Sequence, residues 1–120
     1  MAGKHSTWQM GTVKAWILLA LLSACDRGVA SGGTDGAQLY QTACATCHGA
    51  TGKPSEQMKA QLNVRDLTSP ELRARITPAL VEKQIRTGSE NKLMLSFEGA
   101  LSGEQIEAIA AYVSSPAFLN

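Results

Sequence analysis

Charge of one sign is missing from this sequence: 11 Lys and Arg stand against 10 Asp and Glu, a formal +1, and the two signs interleave along the chain. Nucleic-acid binders need a basic excess to neutralise phosphates, so nucleic acid is excluded as the main partner. No apolar run approaches the roughly 20 residues that cross about 30 Å of hydrocarbon, which excludes a spanning helix. There is no convincing strand run, so an alternating strand and helix pattern is excluded too. Histidine and aromatics are scarce, with two His, two Trp, two Tyr and two Phe in 120 residues, enough chain for one small domain. Cysteine is odd in number, at three. A secreted chain pairs its thiols, so a leftover one needs its own explanation.

The first 24 residues read as a removable segment. Lys4, His5 and Lys14 give a weakly basic start, and Ala15 through Leu22 is an unbroken apolar run. That pattern fits a secretory signal; a buried core helix is the alternative, opposed by the terminal position and flanking lysines. Removing residues 1–24 takes both tryptophans, His5, Met1, Met10 and two lysines, which turns the side-chain charge from +1 to −1.

Leu22-Ser23-Ala24-Cys25 resembles the lipobox of bacterial lipoproteins, in which the cysteine is lipidated and becomes the new N-terminus. The resemblance implies an anchor of three acyl chains, each held by about 0.8 kcal/mol per buried CH₂. Cleavage at Val29-Ala30-Ser31, giving a soluble periplasmic protein, is the alternative. Asp26 resembles the signal that keeps some lipoproteins in the inner membrane. Residues 25–33 are then the anchor cysteine and a small-residue tether spanning about 15 to 18 Å, which would raise the effective concentration of a domain at 34–120 near membrane complexes.

That domain has a thin supply of large side chains, its aromatics being Tyr40, Phe97, Tyr112 and Phe118. Small domains of this kind commonly lean on a disulfide, a metal or a cofactor. Cys44-Ala45-Thr46-Cys47-His48 is a C-x-x-C-H sequence, the attachment motif of a covalent c-type haem. Two thiols three positions apart near a helix end can reach the two vinyl groups on one ring edge, and the adjacent imidazole is carried under the iron. A thioredoxin-like C-x-x-C needs strands that are absent here, and a zinc site needs ligands that no second cysteine pair or second histidine provides.

With His5 removed, His48 is the single histidine of the mature chain, so ligation by two histidines within one chain is excluded. The thioether candidates for the sixth iron position are Met58 and Met94. Met58 shares a helical face with Leu62 at i, i+4, which favours core packing. Met94 lies in Asn91-Lys92-Leu93-Met94-Leu95-Ser96-Phe97, an extended stretch between two predicted helices that can drape across the far face of the ring.

Helix signals are strong. Ser102 and Gln105 form a capping box, Ile106, Ile109, Ala110 and Val113 follow on one face, and Pro116 stops the helix. Thr77-Pro78 supplies a cap and a favoured first position, Val81 and Ile85 share a face, and Gly88 offers a left-handed stop. Ser69-Pro70-Glu71 opens another short helix, and Thr34 is the expected cap for 35–43. The expected fold is all-α, with four or five short helices and loops wrapped around one covalently attached haem.

Residues 34–114 resemble the monohaem cytochrome c family. Gly36-Ala37-Gln38-Leu39-Tyr40 looks like its first helix, Ile85-Arg86-Thr87-Gly88 like the helix ending before the methionine loop, and Leu101 through Val113 like its last helix. Met94 aligns with the axial methionine. Leu95 stands where a proline is frequent and no tryptophan remains, which suggests a softer loop and a weaker Met bond. The resemblance implies His48 and Met94 as iron ligands and Cys44 and Cys47 as attachment points. It also implies a one-electron carrier, not an enzyme, with no small-molecule substrate, meeting redox partner proteins, membrane complexes among them, through small transient contacts on the periplasmic side of a bacterial membrane. The alternatives are a haem c subunit or docking module of a larger oxidoreductase, and a gas-binding sensory cytochrome with labile Met94. Arg86, Lys92 and Lys53 are candidate partners for haem propionates, with solvated surface charge the favoured reading of each.

Overall fold

The computed structural model describes residues 33–120. The signal segment, Cys25 and all of the tether except Gly33 lie outside the described residues. Six α-helices follow in order: α1 Gly36–Ala43, α2 Ala45–His48, α3 Glu56–Leu62, α4 Pro70–Arg73, α5 Pro78–Thr87 and α6 Gly103–Ser114, with a final 3₁₀ turn at Pro116–Leu119. The helix beyond the expected four or five is α2, which Cys44 (φ −117°) separates from α1. No strand is formed among the described residues, and the one bridge joins Glu98 to Leu101. None of the described helices is long and apolar enough to cross a membrane.

All α-helix starts but that of α2 are set by side-chain oxygens that take up the otherwise unpaired N–H groups of the first turn. Ser55, Ser69 and Thr77 accept from Met58, Leu72 and Leu80, and Ser102 and Gln105 complete their reciprocal box. At α1 the cap is Asp35, not Thr34: its carboxylate accepts from the Gln38 N–H at 3.1 Å. Gly88 ends α5 at φ +71°, a backbone region that favours glycine.

The core is assembled from both ends of the domain. Leu39 and Tyr40 of α1, Ile85 of α5, and Ile106, Ile109 and Val113 of α6 form one cluster with Phe118 of the last turn. Tyr40, Tyr112 and Phe118 stand edge to face, with ring centroids 5.1 to 6.1 Å apart, a preferred aromatic geometry. Arg73 closes this corner from α4. Its guanidinium donates to the carbonyls of Val113 (2.6 Å) and Ser115 (3.0 Å), and lies 5.7 Å from the Phe118 ring centre. A cation at a helix C-terminus satisfies carbonyls that have no intrahelical partner and opposes the helix dipole.

Candidate haem site

The C-x-x-C-H segment is held by the end of α1. Cys44 is both the last cap of α1, donating its N–H to the Tyr40 carbonyl at 2.9 Å, and the residue on which α2 is wound. The Cys47 and His48 N–H groups return to the Cys44 carbonyl at 3.2 and 3.0 Å, so both thiols and the imidazole sit within a single turn. Two α1 side chains secure the chain just past His48: the Tyr40 hydroxyl donates to the Gly49 carbonyl at 2.7 Å and the Gln41 amide to the Ala50 carbonyl at 2.8 Å.

Cys44 and Cys47 are free thiols, the first half-buried and the second exposed. Cys44 packs against the core cluster, and burial, aided by the nearby Cys47, pushes its thiol up to about 11. Burial lowers the His48 pKa, and the Arg65 backbone carbonyl opposes this in part. The His48 Nδ1 is buried without a well-formed hydrogen bond. A neutral imidazole beside two unpaired thiols is the donor chemistry that thioether attachment and iron ligation require. Among the described residues no group of three or more His, Cys, Asp or Glu comes together to hold a metal ion by itself.

Met94 is half-buried and packs, like Cys44, against the core cluster. Its segment is not the extended stretch expected but a hydrogen-bonded turn. The Ser89 N–H donates to the Met94 carbonyl and the Met94 N–H donates to the Ser89 Oγ, both at 2.9 Å. Beyond it, the Phe97 N–H donates to the Ile85 carbonyl at 3.0 Å, which returns the chain to α5. Leu93 and Leu95 on either side of Met94 are 50% and 70% exposed. Met58 is half-buried on α3 but, contrary to the expectation of core packing, is not among the partly buried side chains that pack against the core cluster.

The three cations considered for propionate pairing separate. Arg86 is an ion-paired surface charge, not a free one: it binds Glu82 at 2.9 Å and Glu98 at 3.0 Å, tying α5 to the segment after Met94. Lys53 and Lys92 are exposed and form no ion pair among the described residues. Ser89, Asn91 and Arg73 were missed in the sequence. Ser89 and Asn91 had a signal, as small polar turn formers directly after a helix-ending glycine.

Comparison with known proteins agrees with this arrangement. The family model for "cytochrome C oxidase, cbb3-type, subunit III" matches residues 32–113, which takes in α1, the C-x-x-C-H segment, α5, the Met94 turn and nearly all of α6. Cytochrome c6 of Nostoc sp. is 34% identical over 85 residues, covering 71% of either chain. The solved KustC0563 c-type cytochrome superposes with a TM-score of 0.61 at 29% identity, over 72% of this chain and 99% of its own. A tyrosine-to-phenylalanine mutant of that cytochrome gives 0.59 at 28% identity, over 68% and 96%. A C-x-x-C-H turn capping the first helix, two free thiols, and a family match that runs through to the last helix make this chain a member of the monohaem cytochrome c family, whose cofactor is a covalently bound c-type haem.

Proposed function

We propose that the protein is a one-electron carrier in which Cys44 and Cys47 hold the haem through thioether bonds, His48 is the proximal ligand and Met94 fills the sixth position. The haem iron supplies ferric to ferrous cycling, and sulfur ligation raises its potential. The observation that carries this reading is that Cys44 and Met94 border one core cluster while the Met94 main chain is bonded on both sides. A residue held in this way keeps its place in both oxidation states, and a filled sixth position excludes substrate. Tyr40 and Gln41 do the same for the chain after His48, through the Gly49 and Ala50 carbonyls.

Residues 1–24 are proposed to direct export, Cys25 to anchor the chain by lipid on the periplasmic side of a bacterial membrane, and 26–33 to tether the haem domain within reach of membrane redox complexes. A second reading, the haem c subunit of a larger oxidoreductase, is favoured by the family description, which names an oxidase subunit.

The visible spectrum of the holoprotein tests the ligand assignment. The ferric sulfur-to-iron band at the red end should be present in the native protein, lost in Met94→Ala and retained in Met58→Ala. A high-spin native spectrum would overturn the carrier reading.

A further inference from the structure

We infer that Ser89 is a positioning residue for the sixth ligand, a hydroxyl clasp that sets how readily Met94 leaves iron; this rests on the Met94 ligation proposed above. Gly88 takes φ +71° at the end of α5 and turns the chain back on itself. A Cβ there would stand 2.5 Å from the Met94 carbonyl oxygen and 2.8 Å from the Ser96 nitrogen, so the two strands of the turn are pressed together at this point.

The next residue, Ser89, then makes both main-chain bonds of Met94. Its N–H donates to the Met94 carbonyl and its Oγ accepts from the Met94 N–H, each at 2.9 Å. The Oγ is itself oriented, because its proton goes to the Asn91 Oδ1 at 2.6 Å, and that same Oδ1 accepts from the Leu93 N–H at 3.1 Å. The Ser89 carbonyl accepts from Lys92, which adopts φ +63°, an uncommon conformation for lysine that the surrounding bonds maintain. Five hydrogen bonds thus converge on residues 89–94, and the one that a side-chain change can remove from Met94 without touching its sulfur belongs to the Ser89 hydroxyl.

Exchange of Met94 for another ligand requires the turn to open and these bonds to be given up. The Ser89 hydroxyl therefore shifts the balance between Met-bound and open forms, with the resting structure little changed. Losing one half-buried hydrogen bond changes such an equilibrium by about tenfold.

Imidazole binding to the full-length ferric holoprotein, followed by loss of the sulfur-to-iron band, tests this. Ser89→Ala is expected to bind imidazole about tenfold more tightly, with helix content and the resting band retained. Ser89→Thr, which keeps a hydroxyl, should restore the native affinity. Asn91→Ala leaves both Met94 bonds in place and removes only the brace, so it should give a smaller gain; it also serves if Ser89→Ala does not fold. Thr42→Ala removes an unrelated hydroxyl bond, 3.0 Å to the Gln38 carbonyl on α1, and should change nothing. Unchanged affinity in Ser89→Ala, or an equal gain in Thr42→Ala, overturns the clasp while a band lost in Met94→Ala leaves the ligation standing. A native protein without the band, or a band that survives Met94→Ala, overturns both.

Discussion

The backbone of Gly36 lies directly against the Ala108 carbonyl: a Cβ at residue 36 would stand 2.2 Å from that oxygen and 2.9 Å from the Tyr112 Cβ. Neither neighbour is the end of a flexible side chain, so α1 and α6 approach as closely as they do because residue 36 has no side chain. Gly36→Ala is therefore expected to force the helices apart and lower stability by about 1 to 3 kcal/mol, the usual range for overpacking. Thermal unfolding of the holoprotein checks this, and an unchanged midpoint would contradict it.

Acid should expose a second dependence. The Thr68 hydroxyl (2.6 Å) and then the Thr68 N–H (2.8 Å) donate to the Asp66 carboxylate and hold its pKa below the ordinary value. A carboxyl depressed by folding adds stability above its unfolded pKa of about 3.9, and that contribution is lost as pH falls through the lower folded value. Asp66→Asn should be less stable than the native protein near neutral pH and converge with it in acid. Unfolding midpoints between neutrality and the acid limit measure the difference, and a gap that stays constant with pH would count against the assignment.

Anchoring is tested at the other end of the chain. Mass measurement should find a mature protein that begins at Cys25 and carries lipid and haem, and Cys25→Ser should move it from the membrane to the soluble fraction. A native protein recovered soluble and starting at Ser31 would show cleavage at the alternative site.

Local signals in the sequence were sufficient for most helix starts, because a capping oxygen and the N–H that donates to it are three residues apart at Thr77, Ser69 and Ser102. Thr34 and Asp35 illustrate the limit. Both are capping residues, and the one-residue choice between them is seen only in the hydrogen bond that Asp35 makes. The C-x-x-C-H motif carries its own chemistry and was legible outright. Arg73 was not, since its acceptors Val113 and Ser115 lie far along the chain. Nor was the pairing of Ser89 with Met94, because a run without apolar period does not state which of its polar groups bond to one another. Arg86 read as a free surface charge for the same reason: Glu82 is its neighbour on α5, but Glu98 reaches it only after the chain has turned back.

Tyr40 has a bearing on what supports the C-x-x-C-H motif. The residue whose carbonyl and hydroxyl flank the attachment motif finds its aromatic partners, among the described residues, in Tyr112 of α6 and Phe118 of the 3₁₀ turn, far along the chain. A chain cut short before Tyr112 would still contain both thiols, His48 and Met94, yet the wall behind them would be missing. The setting of the C-x-x-C-H motif is therefore completed by α6 and the 3₁₀ turn, and a chain lacking them would carry the motif without its support.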